Sequence, residues 1–133
     1  MRYISGQEIL AIHFEIINQT GGLHGVRDVG LLQSVVERPK AGFAGEELYK
    51  DVFEKAAAYT ESLVKHHVFV DGNKRTGAAV AARFLFINGY ELTASNKELE
   101  NFILEIAAAK RNLKIITAWF KKYTKKIKKQ VNH

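Results

Sequence analysis

The alanine-rich run from Gly77 to Ile87 constrains the fold of this 133-residue chain more than any other stretch. Wound into a helix, these residues are apolar on nearly every side, which is typical of a helix surrounded by protein. Because alanine is small, neighbouring helices can approach such a helix closely. Asn88 and Gly89 follow it as a left-handed C-cap, and its start is expected near Asn73. The sequence therefore predicts a central buried helix with other helices packed around it.

Five more helices are predicted from apolar residues at helical spacing and from residues that cap helix ends. Two serine–glutamate pairs, Ser5 with Glu8 and Ser95 with Glu98, have the spacing of a capping box. The predicted helices run from Ser5 to Gln19, from Val29 to Arg38, from Asp51 to His66 or His67, from about Asn73 to Asn88, from Ser95 through Ile106, and from Asn112 to Ile127. The predicted fold class is all-α, a compact bundle of about six helices around a central buried one, in a single domain over residues 1–133.

Residues 40–50 are the least regular part of the chain, and two interpretations of them are open. Phe43 lies between two glycines, Gly42 and Gly45. In one interpretation the segment is a surface loop whose phenylalanine packs into the core. In the other it is a small mobile flap beside the segment from His67 to Arg75, which precedes the central helix. Residues 90–93 are expected to form at most a short extended piece.

The formal net charge is +6, and its distribution matters more than its size. Residues 121–129 contain six lysines and no acidic residue, so the remainder of the chain is neutral overall. A nucleic-acid-binding surface usually spreads its positive charge over a whole face. We therefore interpret residues 121–133 as a lysine-rich, solvated end or tail of the last helix, with nucleic-acid binding as the alternative.

Several classes of protein are excluded by composition. The chain has no cysteine, which rules out disulfide bonds and thiolate metal sites. Its first residues lack a basic segment followed by an apolar run, so no signal peptide is expected. No window approaches the ~18 apolar residues of a membrane span. The expected location is the cytoplasm, without a membrane partner.

A dense polar stretch from His67 to Arg75 precedes the central helix. If that helix starts near Asn73, its first backbone N–H groups attract anions, and phosphate above all. Lys74 and Arg75 oppose the helix dipole there, which indicates that a multiply charged anion binds. Gly72 has no side chain to block a phosphate, and it tolerates a positive φ.

His67 and Asp71 add the remaining parts of a phosphoryl- or nucleotidyl-transfer site. An imidazole titrates near neutral pH and suits a general base toward a hydroxyl group. A single carboxylate is a good ligand for Mg²⁺, which keeps waters and substrate phosphates as its other ligands. With Lys74 and Arg75 as charge neutralisers and Asn73 as an amide donor, the stretch has a base, a metal ligand and an anion site.

Each of these residues also has a purely structural interpretation. Asp71 alone is a good N-cap for the central helix, and His67 alone suits the end of the preceding helix. His66 adjoins His67, and position does not decide which of them acts. A metal site built from both histidines and Asp71 lacks the usual spacing and a further ligand. No role is assigned to the other histidines, which are expected in the interior or at the boundary of the first helix (His13), in a loop (His24) and at the terminus (His133).

The stretch His67-x-Phe69-x-Asp71-Gly72-Asn73-Lys74-Arg75 resembles the signature of the Fic/Doc superfamily. Outlying similarities to the death-on-curing (Doc) branch of that superfamily occur at Gly25-Val26-Arg27-Asp28-x-Gly30-Leu31-Leu32, Arg38-Pro39, Glu54-Lys55-Ala56-Ala57 and Asn88-Gly89. The resemblance covers nearly the whole chain. It implies an all-helical Fic fold that uses ATP and Mg²⁺.

The resemblance also implies a role for each residue of the signature. His67, which is in register with Phe69, is implied to be the general base, and Phe69 to anchor the loop in the core. Asp71 is implied to bind Mg²⁺. The implied nucleotide-binding residues are Gly72, Asn73, Lys74 and Arg75, of which Lys74 and Arg75 are also implied to be catalytic.

Two departures from the Fic pattern concern the group that is transferred. Fic adenylyltransferases have glycine where this chain has Lys74, and a second arginine where it has Ala78. A lysine side chain would fill the space that cradles the α-phosphate in AMP transfer. Doc toxins share this lysine, and the resemblance implies that they turn the nucleotide round and transfer the γ-phosphate. AMP transfer and a non-catalytic module that binds nucleic acid or an antitoxin are the alternatives.

The resemblance finally implies a biological setting, that of a type II toxin–antitoxin system. The implied target is a threonine of elongation factor Tu, whose modification stops translation. The implied partner is a small Phd-like antitoxin whose C-terminal segment folds over the toxin as it binds.

Overall fold

The computed structural model describes residues 1–108 and 110–128, and this part of the chain is mainly helical. Its helices are α1 (Gly6–Thr20), α2 (Val29–Glu37), α3 (Val52–Lys65), α4 (Asn73–Ile87), α5 (Asn96–Ala107) and α6 (Leu113–Lys122). Its strands are β1 (Gly42–Phe43), β2 (Glu46–Glu47), β3 (Tyr90–Leu92) and β4 (Thr124–Lys126), and they form two small antiparallel pairs, β1–β2 and β3–β4. The predicted helical bundle is confirmed.

The helices begin where the capping residues predict. Ser5 and Ser95 form complete capping boxes with Glu8 and Glu98, and each serine hydroxyl accepts the glutamate backbone N–H at 3.1 Å. Side chains also cap α2, α3 and α6, and the capping residues are Asp28, Asp51 and Asn112. Each cap satisfies a backbone N–H that the helix itself leaves unpaired.

Helix α4 is packed most closely against α3, and a glycine makes the approach possible. Gly77 is buried in α4, and a Cβ atom placed on it would lie only 2.7 Å from the Cγ2 atom of Val64 in α3. The same atom would lie 3.5 Å from the Cβ of Leu63. The end of α3, which leads into the predicted site, is therefore seated directly on the first turns of α4.

Replacing Gly77 with alanine is expected to lower the free energy of unfolding by about 1 kcal/mol. The added methyl group overpacks the interface between α3 and α4, which costs about 1–3 kcal/mol, while the higher helix propensity of alanine contributes about 1 kcal/mol in the opposite sense. Urea denaturation of the two proteins measures the difference.

A second substitution shows whether overpacking is the cause. Val64→Ala removes the atom that the new methyl group meets, so the double variant should be more stable than the two single effects predict. Gly6→Ala is the control, because the nearest atom to its Cβ would be Val36 Cγ2 at an ordinary 3.6 Å. A Gly77→Ala protein as stable as the unaltered chain would contradict the prediction.

The last predicted helix is wrong beyond Lys122. Instead of continuing to Ile127, the chain turns and forms β4, which pairs with β3 and places Lys125 opposite Glu91. Backbone bonds extend the pairing at both ends, from Thr93 N–H to the Tyr123 carbonyl at 2.6 Å and from Ile127 N–H to the Gly89 carbonyl at 2.9 Å. The pairing satisfies the backbone N–H and carbonyl groups of both β3 and β4. This gain outweighs the helical pattern of the local sequence.

Two of the C-terminal lysines form exposed ion pairs within the fold. Lys121 lies 3.6 Å from a carboxylate oxygen of Asp51, and Lys125 lies 3.5 Å from one of Glu91. The remainder of the predicted tail, residues 129–133 with Lys129 and His133, lies outside the described residues. Within the described residues no helix is both long and apolar enough to cross a membrane.

The β1–β2 hairpin corrects one of the two interpretations of residues 40–50, that of a loop whose phenylalanine packs into the core. Phe43 is 88% exposed, so it does not pack into the core. The hairpin is tied to the start of α3 by Lys55, whose Nζ donates to the Pro39 carbonyl at 2.9 Å and to Glu47 at 3.0 Å. The other interpretation, a mobile flap beside the segment from His67 to Arg75, stays a prediction.

Lys55 remains charged although its side chain is fully buried. Burial alone would lower its pKa, but its contacts with Glu47 and Tyr3 outweigh this and raise the pKa above the ordinary lysine value. A buried charge of this kind is costly to leave unpaired, so the hairpin is held by an interaction that the sequence pattern does not reveal.

Candidate active site

The segment between α3 and α4, residues 66–72, is held by pairing with a second segment, residues 25–28. We call residues 66–72 the central loop. Val26 and Phe69 form an antiparallel bridge. Val70 N–H donates to the Gly25 carbonyl at 3.0 Å, and Arg27 N–H donates to the Val68 carbonyl at 2.8 Å. The pairing fixes the backbone of the central loop on the side where the chain leaves α3.

The side chain of Arg27 extends the same restraint to His67. Its Nε atom donates to the His67 carbonyl at 2.6 Å, while the His67 side chain itself is exposed. An anchored backbone with an exposed imidazole is a good arrangement for a general base. The contact was not predicted, because the Gly25–Asp28 sequence gives no sign of its partner other than its resemblance to Doc proteins.

Phe69 of the central loop packs into the core against His13 of α1. Phe69 is 1% exposed, and its ring stacks on that of His13 with centroids 3.7 Å apart and planes 6° apart. His13 is 4% exposed, so of the two predicted positions in α1, interior or boundary, it takes the interior one. Its Nε2 atom lies 2.8 Å from the main-chain carbonyl oxygen of Asp71, a contact that spacing along α1 did not indicate.

The side chain of Asn73 closes the central loop. Its Oδ1 atom accepts the Phe69 N–H and its Nδ2 atom donates to the Phe69 carbonyl, both at 2.9 Å. The predicted amide donor is thus engaged within the protein. At the start of α4, Asn73 therefore presents its backbone N–H and not its side-chain amide.

Helix α4 begins with a left-handed glycine. Gly72 is the N-cap, with φ 77° and ψ 17°, so the structural interpretation of Asp71 as the N-cap is wrong. A side chain on Gly72 would also place its Cβ 2.9 Å from Ile17 Cδ1. The first backbone bond of the helix runs from Thr76 N–H to the Gly72 carbonyl, so the three N–H groups of residues 73–75 precede it.

The carboxylate of Asp71 is oriented by backbone donors. Its Oδ1 atom accepts the Gly72 N–H at 2.8 Å, and its Oδ2 atom accepts the Leu23 N–H at 3.2 Å. These two hydrogen bonds lower the pKa of Asp71 below its ordinary value and outweigh the opposing effect of desolvation, with a further contribution from Arg75. Asp71 is therefore ionised at neutral pH, and it would lose its charge only well into the acid range.

A glycine on the neighbouring loop makes room for this carboxylate. A Cβ on Gly22 would lie 2.5 Å from Asp71 Oδ2, and Gly22 has φ 115°. Both the space and the backbone conformation therefore require glycine there. In the sequence, Gly22 marked only a loop.

Arg75 joins the start of α4 to the end of α1. Its Nη1 atom donates to the Thr20 hydroxyl and, at 3.2 Å, to the Gly21 carbonyl. Its Nη2 atom lies 3.8 Å from the Asp71 carboxylate, and its side chain is 41% exposed. Arg75 is thus positioned by the protein and still accessible to an anion.

The predicted site residues line one cleft of about 820 Å³. Its polar end contains His67 and residues 71–75, and His66 does not line it. Its other wall is built by α4 and α5, with the apolar side chains of Ala78, Ala79, Ala82, Leu99, Ile103 and Leu104 and the polar side chains of Asn96 and Glu100. No three potential metal-binding side chains converge in the described part of the chain, so the alternative site of two histidines and Asp71 is not formed.

A model of the Fic/DOC family matches residues 3–85 of the chain. The chain belongs to the Fic/DOC family. Toxin Doc from Mycolicibacterium smegmatis is 43% identical over 100 residues, which cover 74% of this chain and 77% of that protein. Protein kinase doc from Escherichia phage P1 is 39% identical over 92 residues, which cover 69% of this chain and 72% of that protein. The predicted membership of the Doc branch of the Fic/DOC family is confirmed.

Proposed function

We propose that this Doc-type protein is a toxin that transfers phosphate from Mg·ATP to a hydroxyl group of a protein. The observation that carries the proposal is the cleft, in which an exposed imidazole, an ionised carboxylate and two cations lie at the N-terminus of a buried helix. The similarity of the chain to a relative named protein kinase doc supports the same reaction class.

The residues of the cleft fit a magnesium ion and a nucleoside triphosphate. Asp71 offers an ionised oxygen donor in a position already set by backbone hydrogen bonds. Gly72 leaves the helix start without a side chain, and the backbone N–H groups of residues 73–75 are available to phosphate oxygens. When bound to Asp71, magnesium would neutralise part of the phosphate charge and orient the phosphate chain.

The remaining residues supply the chemistry of transfer. His67 accepts the proton of the target hydroxyl while the hydroxyl oxygen forms a bond to the γ-phosphorus. The bond from that phosphorus to the bridging oxygen breaks, and ADP leaves with the electron pair. Lys74 and Arg75 stabilise the charge that develops on the phosphate oxygens. Arg75 is held for this role by Thr20 and Gly21.

Replacing Lys74 with alanine is expected to reduce phosphate transfer about 100-fold, because one charged donor to the transferred group is lost. Lys114→Ala is the matched control, since Lys114 is an exposed lysine of α6 that does not line the cleft. Transfer rates at saturating ATP measure both variants. Equal rates for the two variants would contradict the role of Lys74.

The proposed target is an elongation factor Tu-like protein, and the proposed cellular partner is a Phd-like antitoxin in the cytoplasm. The test incubates the protein with elongation factor Tu and with ATP labelled in either the γ- or the α-phosphate. The proposal expects the γ-label on the factor and no α-label. Transfer of the α-label would assign the protein to AMP transfer instead, and transfer of neither would reject this target.

A further inference from the structure

We infer that His13 is a positioning residue for the site, and that it acts by fixing the peptide plane between Asp71 and Gly72. The inference rests on the proposed function for its metal ion and nucleotide. His13 does not line the cleft, and none of its atoms is placed in the reaction. Its influence would pass through the backbone of the residue that offers the metal ligand.

The hydrogen bond from His13 acts on one side of that peptide plane. Its Nε2 atom lies 2.8 Å from the Asp71 carbonyl oxygen, which can only accept, so Nε2 carries the proton. The Phe69 ring, stacked at 3.7 Å, prevents the imidazole from rotating out of this arrangement. The histidine is thus a fixed donor rather than a mobile one.

The N–H group of the same peptide plane, that of Gly72, orients the carboxylate of Asp71. Because a trans peptide is planar, the direction of the Asp71 carbonyl determines the direction of the Gly72 N–H. That N–H donates to Asp71 Oδ1 at 2.8 Å. The plane also sets the left-handed conformation of Gly72, from which α4 and its N-terminal N–H groups start. A single, partly buried hydrogen bond therefore positions both the metal ligand and the phosphate-binding end of the helix.

Two substitutions separate this role from ordinary core packing. His13→Phe keeps an aromatic ring against Phe69 but removes the donor. His13→Gln keeps an N–H donor at similar reach but removes the ring. If His13 only fills space, His13→Phe should bind Mn²⁺ more tightly than His13→Gln. If the hydrogen bond positions the site, His13→Gln should bind Mn²⁺ more tightly than His13→Phe.

The measurement is binding of Mn²⁺ in the presence of ADP, followed by electron paramagnetic resonance, with thermal unfolding recorded for each protein. We expect His13→Phe to weaken Mn²⁺ binding about tenfold, as for other residues that orient a metal ligand. His13→Gln should recover most of that loss. His24→Gln is the control, because the ring of His24 is exposed and its hydrogen bond is to Asn18.

Unchanged Mn²⁺ affinity in His13→Phe, or equal losses in both variants, would overturn the inference. If His13→Phe fails to fold, nitrogen NMR of the unaltered chain decides instead, since a proton on Nδ1 rather than Nε2 would also overturn it. The proposed function is tested separately by label transfer with the unaltered protein. A chain that binds Mn²⁺ and ADP as expected but transfers no phosphate would reject the kinase proposal alone.

Discussion

Replacing His67 with alanine is expected to reduce phosphate transfer about 1,000-fold, within the range that general-base catalysis contributes. The side chain of His67 is exposed and lines the cleft, whereas its carbonyl is bound by Arg27. Truncation at Cβ therefore removes the base without disturbing the backbone contact. The melting temperature should stay the same, because an exposed side chain contributes little to stability. Label transfer and thermal unfolding together measure the two effects.

The neighbouring histidine provides a strict control for this prediction. His66 is also exposed but does not line the cleft, so His66→Ala should retain transfer. Loss of transfer in His66→Ala with full activity in His67→Ala would move the base by one residue. Full activity in both would mean that no histidine of the central loop accepts the proton.

The course of the main chain could be predicted wherever local signals agree. The capping serines Ser5 and Ser95 place two helix starts because their bonds lie within one turn of the chain. The end of α6 could not be predicted in this way. Tyr123 and Ile127 continue a helical stripe, yet their backbone groups bind Thr93 and Gly89, which are distant in sequence. Local periodicity carries no information about such a partner.

The same limit applies inside the site. The residue types from His67 to Arg75 predict a site in this stretch, and the structure brings most of these residues to one cleft. What each side chain contacts depends on α1 and on residues 20–28, which approach only in the folded protein. Asp71 is oriented by Leu23 rather than capping α4, and Arg75 is held by Thr20 and Gly21. These contacts determine which groups stay available to a ligand.

Replacing Phe69 with alanine is expected to have the largest effect on stability, a loss of about 3–5 kcal/mol in the free energy of unfolding. The ring is almost fully buried and stacks on His13, so its removal leaves a cavity directly beneath the central loop. Since many domains are stable by only about 5–15 kcal/mol, such a loss is a large fraction of the total. Transfer should fall as well, because the cavity loosens the segment that carries His67 and Asp71. Urea denaturation measures the first effect and label transfer the second.

Phe43 makes the comparison decisive, because it is the same residue type in the opposite environment. It is 88% exposed at the β1–β2 hairpin, so Phe43→Ala should change the free energy of unfolding by no more than about 0.5 kcal/mol. Phe69→Leu, which keeps most of the buried volume, should fall between the two alanine variants. If Phe69→Ala loses no more stability than Phe43→Ala, the anchoring of the central loop by Phe69 would have to be abandoned.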